Sequence, residues 1–120
     1  MCEQLKTKTI LIIDDEFSNL RVLALILKSL GFQNIEATEN GQKAVEKINQ
    51  NSYDLILTDM KMPGLSGSDV LHHTKRFDNS PPVIGISGTP WLLKDEFDAV
   101  LSKPFTKTEL LKIINSFFSK

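Results

Sequence analysis

The feature that most constrains the fold of this 120-residue chain is an alternation of five short strand-like runs, four of them apolar, with segments of helical periodicity. The runs end at turn or polar residues, as buried strands do. The first is β-branched and apolar without polar alternation, which is typical of a central parallel strand covered on both faces. We therefore predict five strands, at residues 9–13, 34–37, 55–57 (ending at Asp59), 83–86 and 99–101.

Signals for a helix follow every run. The first helix is marked by leucines at helical spacing with a glycine stop, at Leu20, Leu23, Leu27, Leu30 and Gly31. Asn40 is a good N-cap for the second, and the third is marked by Gly67, Val70, Leu71 and Phe77. Residues 91–97 leave room for about two helical turns. Thr106 and Glu109 form a capping box that opens the last helix.

Strands that alternate with helices predict a parallel sheet with right-handed crossovers and helices on both faces. Short connections and the absence of an internal linker indicate one domain over residues 1–120. We therefore expect an α/β fold: a flavodoxin-like, doubly wound (βα)5 domain with strand order 2-1-3-4-5 and a shortened fourth helix.

Composition excludes several other classes. Hydrophobic residues make up 41% and charged residues 24%, as in ordinary globular proteins, and the net charge is −1 with both signs interleaved. A direct nucleic-acid surface needs clustered Lys and Arg, so it is disfavoured. The single Cys2 excludes an internal disulfide framework, and no apolar run approaches the length of a membrane span. Without a signal peptide, a cytoplasmic location is expected.

Four of the five predicted strands end in a polar or ionisable residue, and parallel strands bring their carboxyl ends to one edge. That edge would receive Asp14 and Asp15, Asp59, Ser87 and Lys103. Three carboxylates and one ammonium leave an excess of negative charge, which suits a hard divalent ion such as Mg²⁺ (or Mn²⁺). Such a site could accept a phosphoryl group on a carboxylate. Flavin binding is disfavoured, because Asp14-Asp15-Glu16 stands where a phosphate cradle would be needed.

At these residues the chain resembles, from end to end, a receiver domain of the two-component response-regulator family. Ile12-Ile13-Asp14-Asp15-Glu16 resembles the family's acidic pair, and Asp59-Met60-Lys61-Met62-Pro63-Gly64 with Gly67 resembles its phosphoacceptor loop. Ser87 falls at the hydroxyl position, and Lys103-Pro104-Phe105 matches the lysine–proline signature, where the family usually has a cis peptide bond.

The resemblance implies that Asp59 accepts a phosphoryl group from a sensor histidine kinase or a histidine phosphotransfer protein. It implies that Asp15 and Asp59 ligate the metal directly, Asp14 through water and Lys61 through its backbone carbonyl. Lys103 would contact Asp59 and then the phosphoryl group, and Ser87 would move to hydrogen-bond that group. The chain would then switch a protein surface rather than turn over a substrate.

Two departures from the family concern the output of the switch. The separation of Ser87 and Lys103 is several positions shorter than is usual, and Val100 stands where the family has its switch aromatic. A phosphorylation-independent interaction module of the same fold therefore remains an alternative. A phosphatase that uses an aspartyl-phosphate is a second alternative, although Lys61 occupies the position where such enzymes have a second acid.

Other residues have simpler interpretations. His72 and His73 are expected to be surface residues, because adjacent histidines project to different sides of a helix and no acid partner is evident. Trp91 is expected to pack over the short fourth helix. The last helix carries a wide apolar stripe, at Leu110, Leu111, Ile113, Ile114, Phe117 and Phe118. Its simplest interpretation is a face packed on the core, and the alternative is an exposed rim that docks a downstream protein or forms a homodimer.

Overall fold

The protein is described by a computed structural model that covers residues 6–62, 64–89 and 96–118. Its five strands form one sheet in the order β2-β1-β3-β4-β5, and every neighbouring pair is parallel. The strands are β1 (Thr9–Ile13), β2 (Asn34–Thr38), β3 (Leu55–Asp59), β4 (Val83–Ser87) and β5 (Ala99–Ser102). The predicted fold class and strand order are confirmed.

Four helices lie within the described residues: α1 (Phe17–Ser29), α2 (Gly41–Gln50), α3 (Gly67–Thr74) and α4 (Lys107–Phe118). The predicted caps are present. The Asn40 side chain accepts a hydrogen bond from the Lys43 N–H at 2.7 Å. Thr106 and Glu109 exchange backbone-to-side-chain bonds of 2.8 and 3.1 Å, as a capping box does. These bonds satisfy N–H groups that the first helical turn leaves without partners.

The helices cover both faces of the sheet, as a doubly wound fold requires. On one face α1 and α4 pack against the even-numbered side chains of β1, in the cluster of Ile10, Ile12, Leu23, Leu27, Leu57, Leu110 and Ile114. On the other face α2 and α3 pack against the odd-numbered side chains, in the cluster of Leu11, Ile13, Ala44, Ile48, Ile56, Val70 and Leu71. All five residues of β3 and all five of β4 are buried, which explains the apolar runs that precede the polar residues at their carboxyl ends.

The sequence-based prediction of the third helix was wrong at its end. The helix stops at Thr74 and is capped by Lys75, so Phe77 lies beyond it, in a turn closed by a bond from its N–H to the Thr74 carbonyl. Phe77 is exposed rather than buried against the sheet. The Thr74 hydroxyl bonds back to the Val70 carbonyl in the last turn, at 2.8 Å.

Several sequence-based predictions fall outside the described residues. They concern Cys2, the course of the chain at Pro63, the packing of Trp91 and most of the short helix predicted for residues 91–97. Among the residues that the structure describes, no helix combines the length and apolar character needed to cross a membrane.

Candidate functional site

The carboxyl edge of the sheet gathers the predicted site residues from four strands. Asp14 follows β1, Asp59 is the last residue of β3, Ser87 is the last residue of β4, and Lys103 follows β5. The strands that carry Asp14, Asp59, Ser87 and Lys103 are consecutive in the sheet. A backbone bond of 2.8 Å from the Lys103 N–H to the Ser87 carbonyl continues the pairing of β4 with β5 to the site itself.

The three aspartates form a compact acidic cluster. Asp14, Asp15 and Asp59 each offer one carboxylate oxygen, and these oxygens lie within 4.8 Å of one another. Asp14 and Asp59 are only 6% and 7% exposed, whereas Asp15 is exposed. Burial, and the neighbouring charge of Asp59, raise the pKa of Asp14 above its usual value, although a hydrogen bond from the Glu16 N–H opposes the rise.

Lys103 is paired with Asp59. Its Nζ donates to Asp59 Oδ1 at 2.7 Å. Burial alone would lower the pKa of Lys103, but the hydrogen bond and charge of Asp59, with the charges of Asp14 and Glu16, outweigh it and raise that pKa. The ammonium therefore stays charged beside the carboxylate. The peptide bond between Lys103 and Pro104 is cis, as expected.

A cavity of about 140 Å³ opens directly beside Asp59. It is lined by Asp59, Met60, Lys61, Ile86, Ser87, Gly88, Thr89 and Lys103. The buried Ser87 hydroxyl accepts a hydrogen bond from the Thr89 N–H at 2.9 Å and lies 3.3 Å from the Thr89 hydroxyl. The nucleophile candidate, a cation and two hydroxyls thus share one small space.

Two glycines determine the course of the loop between Asp59 and α3: Gly64 through its backbone conformation and Gly67 through its close approach to the end of β3. Gly64 has φ +78, a conformation that other residues rarely adopt. Gly67 donates to the Met60 carbonyl at 3.2 Å, and a Cβ there would lie 2.5 Å from the Asp59 carbonyl oxygen. Only glycine can therefore occupy position 67 without a clash with the Asp59 carbonyl oxygen. Ser66 and Asp69 form a capping box that starts α3 at this point.

The donor set fits a hard divalent cation. Carboxylate oxygens are the protein ligands that Mg²⁺ uses, commonly one or two of them with water. The acidic cluster offers three within 4.8 Å, and the pKa of Asp14 is raised by burial and by the charge of Asp59, so a cation would relieve the crowding. Lys61 is exposed and lines the adjoining cavity; the use of its backbone carbonyl as a ligand stays a prediction.

The structure also identifies site residues that the sequence did not. Asn19 donates from Nδ2 to Asp14 Oδ2 and to Glu16 Oε1, both at 3.3 Å, and so orients the acidic loop from the first turn of α1. Thr89 contacts Ser87 from the same loop. A polar residue in the first turn of a helix after an acidic pair could have indicated Asn19. Thr89 carried no signal beyond a turn.

Val100 occupies a half-buried position and packs, with Met60, against the core on the α2 and α3 face of the sheet. It pairs with Gly85 of β4. The aromatic side chain expected in the family is thus replaced by a short one that already packs in the core. No aromatic rotation can occur at this position.

The histidines are not part of the site. His72 is exposed, and its Nε2 lies 3.9 Å from Glu96 Oε2, an acid partner that the sequence alone did not reveal. His73 is half-buried, with Nε2 2.7 Å from Asn49 Oδ1. Both lie on α3, whose first residue, Gly67, contacts the Asp59 loop.

Large exposed apolar side chains are concentrated on α1 rather than on the last helix. Phe17 is 65% exposed and Leu25 64%, and Val22 on the same helix is also exposed, as is Phe77 after α3. On α4, Leu110 and Ile114 are buried, and the rest of the predicted stripe is half-buried, at Leu111, Ile113, Phe117 and Phe118.

The described residues form a parallel five-stranded α/β sheet that carries an acidic cluster, a paired lysine and a hydroxyl at its carboxyl edge, where open α/β folds place their sites. A comparison with known proteins identifies the family that has this fold. The sequence model of the response regulator receiver domain matches residues 10–115. The chain belongs to the response regulator receiver domain family.

Individual relatives include sensor kinases and regulators. The chain is 29% identical over 120 residues to the autoinducer 1 sensor kinase/phosphatase LuxN of Vibrio campbellii, covering 96% of this chain and 14% of LuxN. It is 31% identical over 113 residues to the cell cycle transcriptional regulator CtrA of Caulobacter vibrioides, covering 89% of this chain and 48% of CtrA. The chain thus spans less than half the length of either relative.

A solved structure supports the same assignment. The receiver domain of a sensor histidine kinase from Pseudomonas aeruginosa PAO1 superposes with a TM-score of 0.81 at 26% identity, covering 94% of this chain and 98% of that one. That structure contains a magnesium ion coordinated in its active-site cleft. The chain is therefore a receiver domain of two-component systems, with the fold of its relatives.

Proposed function

We propose that this chain, acting as a single domain, accepts a phosphoryl group on Asp59 from a phosphohistidine of a sensor histidine kinase or phosphotransfer protein. The observation that carries the proposal is the contact of 2.7 Å between Lys103 Nζ and Asp59 Oδ1 inside a cluster of three carboxylates. This arrangement places a fixed cation beside a nucleophilic carboxylate, where negative charge will accumulate during the transfer. The cytoplasm, where ATP-dependent kinases form phosphohistidine, is the compartment that the proposal implies.

Phosphoryl transfer begins when a carboxylate oxygen of Asp59 attacks the phosphorus atom of the phosphohistidine. An O–P bond forms and the P–N bond of the donor breaks. The electron pair of that bond stays on the imidazole nitrogen, which takes up a proton from solvent. Lys103 would stay hydrogen-bonded through the transfer and then contact a phosphoryl oxygen, and the Ser87 hydroxyl would donate to another. Both contacts act where charge develops, which is where they lower the barrier.

Mg²⁺ (or Mn²⁺) would be held by Asp15 and Asp59 directly, by Asp14 through water and by the Lys61 carbonyl. When bound, the ion supplies positive charge that offsets the three carboxylates and the incoming phosphoryl oxygens. Asp14 and Asp15 would position the ion, and the bonds that Asp14 accepts from Asn19 and from the Glu16 N–H fix its carboxylate for that role.

Incubation of the purified chain with Mg²⁺ and acetyl phosphate tests the proposal. Intact-mass spectrometry should detect the addition of one phosphoryl group that is lost in acid or on treatment with hydroxylamine. Asp59→Asn should show no such addition, and Ser66→Ala, at a capping residue outside the cavity, should retain it. A wild-type chain without the acid-labile adduct would refute the proposal.

Val100 favours a second candidate, a receiver fold whose protein contacts do not depend on phosphate. A short half-buried side chain cannot rotate between two packings as an aromatic one can, so phosphorylation could occur without changing the surface. Comparison of amide hydrogen exchange with and without the phosphoryl group separates the two. Unchanged exchange outside the 140 Å³ cavity would favour the second candidate.

We further propose that the chain acts as a phosphoacceptor rather than as a turnover enzyme, with only its own phosphoryl group as substrate. Steady release of phosphate from a generic phosphate ester would contradict this and favour the phosphatase hypothesis. Output to a downstream protein or a second copy would use the region of α4, where Leu111 and Phe117 remain half-buried. Sedimentation of phosphorylated and unphosphorylated chains tests the second-copy form.

A further inference from the structure

We propose that Thr89 is a positioning residue. It holds the Ser87 hydroxyl so that the hydrogen bond left for this hydroxyl to make is one that it donates to the phosphoryl group. The inference rests on the proposed phosphorylation of Asp59. It goes beyond it by assigning a role to a residue that neither the sequence nor the family resemblance singled out. The observations are the two contacts between Thr89 and Ser87 and the cavity that both residues share with Asp59.

A serine hydroxyl donates one hydrogen bond and accepts two. The Thr89 N–H already occupies one acceptor site of Ser87 Oγ, at 2.9 Å. The Thr89 hydroxyl lies 3.3 Å from the same oxygen, where it can fill the second acceptor site. Either hydroxyl can donate in that contact, but once Ser87 donates its single proton to a phosphoryl oxygen, the Thr89 hydroxyl must be the donor and fills the second acceptor site of Ser87.

The cavity determines where that bond goes. Ser87 is 7% exposed, and the space of about 140 Å³ beside it is also lined by Asp59 and Lys103. A phosphoryl group on Asp59 brings three acceptor oxygens into this space and no donor when ionised. A chain of bonds from Thr89 Oγ1 to Ser87 Oγ and on to a phosphoryl oxygen is favourable, because each bond polarises the next.

Thr89 would therefore act through Ser87 and not on the phosphoryl group directly. This distinguishes it from Lys103, which contacts Asp59 itself. Thr89→Val removes only the hydroxyl and keeps the shape and the backbone N–H. Thr89→Ser keeps the hydroxyl, and Thr108→Val makes the same chemical change at an exposed position of α4 that does not line the cavity.

The experiment measures the initial rate of phosphoryl incorporation at Asp59 from acetyl phosphate with Mg²⁺, by intact-mass spectrometry. One neutral hydrogen bond lost from the transition state predicts that Thr89→Val slows incorporation about 2- to 10-fold. Thr89→Ser should recover the wild-type rate, and Thr108→Val should keep it. Thermal unfolding of each variant shows whether the fold is retained.

A double-mutant cycle with Ser87→Ala separates positioning from a general structural effect. If Thr89 acts through Ser87, Thr89→Val should change the rate less than about twofold in the Ser87→Ala background. An equal slowing in both backgrounds, or no slowing in the wild-type background, would overturn the inference while leaving phosphorylation of Asp59 intact. If the wild-type chain gains no phosphoryl group, the proposed function fails and this inference fails with it.

Discussion

Replacement of Gly67 by alanine tests how tightly the loop between Asp59 and α3 is packed on the end of β3. A Cβ at residue 67 would lie 2.5 Å from the Asp59 carbonyl oxygen and 3.1 Å from Met60 Cα, whereas real Cβ contacts stay above 3.0 Å. The oxygen belongs to the backbone, so the loop itself must move by at least about 0.5 Å.

Overpacking of this kind costs about 1–3 kcal/mol. Removal of glycine's freedom in the unfolded chain recovers about 0.4–1 kcal/mol. We therefore expect Gly67→Ala to lower the free energy of unfolding by about 1–2 kcal/mol. For a chain of this length the melting temperature should fall by roughly 3–10 °C. Because the displaced group is the backbone of Asp59, phosphorylation should also slow by roughly tenfold.

Two other glycines provide controls. A Cβ at Gly88 would meet nothing within 4 Å, so Gly88→Ala should leave the free energy of unfolding nearly unchanged. A Cβ at Gly41 would lie 2.6 Å from the Leu65 carbonyl oxygen, a similar clash with the same loop but at a residue farther along it from Asp59. Gly41→Ala should therefore lose comparable stability and keep a phosphorylation rate much closer to that of the wild type.

Urea unfolding followed by circular dichroism gives the free energies, and mass spectrometry gives the phosphorylation rates. The reasoning is refuted if Gly67→Ala is as stable as Gly88→Ala. It is also refuted in its functional part if Gly41→Ala, at equal loss of stability, slows phosphorylation as much as Gly67→Ala does.

Three further predictions concern charge, metal and capping. The pKa of Asp14 is raised in the folded protein, so the folded state holds that proton more tightly, and stability falls as the pH rises through the raised pKa. Without divalent metal, Asp14→Asn should therefore increase stability at neutral pH and flatten this pH dependence. Urea titrations at acid and neutral pH measure both effects. Asp15→Ala should abolish Mg²⁺ binding measured by calorimetry, whereas Ser87→Ala should preserve it, and loss of binding in both would mean that the site roles are wrongly assigned. Thr106→Ala removes the capping bond to Glu109 and should cost about 1 kcal/mol in urea unfolding, with no change in the phosphorylation rate.

Apolar runs were the clearest strand signal in this chain, because the central strands β1, β3 and β4 are covered on both faces, whereas the edge strand β2 carries Asn34 and Glu36. β1 was predicted at its observed bounds, Thr9–Ile13, and β3 at its observed end, Asp59. Helix ends were less certain. Phe77 continues the apolar spacing of α3, but the helix ends at Thr74 and the backbone turns away. A local turn forms there instead, because one more helical turn would bury no further apolar surface against the core.

The amino-acid sequence alone determined the fold and the list of candidate groups at the phosphoacceptor site. Alternation of strands and helices implies a parallel sheet, and a parallel sheet places every strand end on one edge. Asp14, Asp59, Ser87 and Lys103 could therefore be grouped without coordinates, and residue type indicated a cation and a phosphoryl group.

Only the tertiary structure decided the distances and the contacts between loops. The 2.7 Å bond from Lys103 to Asp59 joins residues 44 positions apart in sequence, and the paired hydroxyls of Ser87 and Thr89 depend on how one turn closes. Gly67 acquires its importance from an approach to the Asp59 carbonyl that no local pattern encodes. Hydrogen bonds and close contacts depend on distances of tenths of an ångström, and the packing of the whole domain determines these distances. The periodicity of the sequence specifies only which residues face the core.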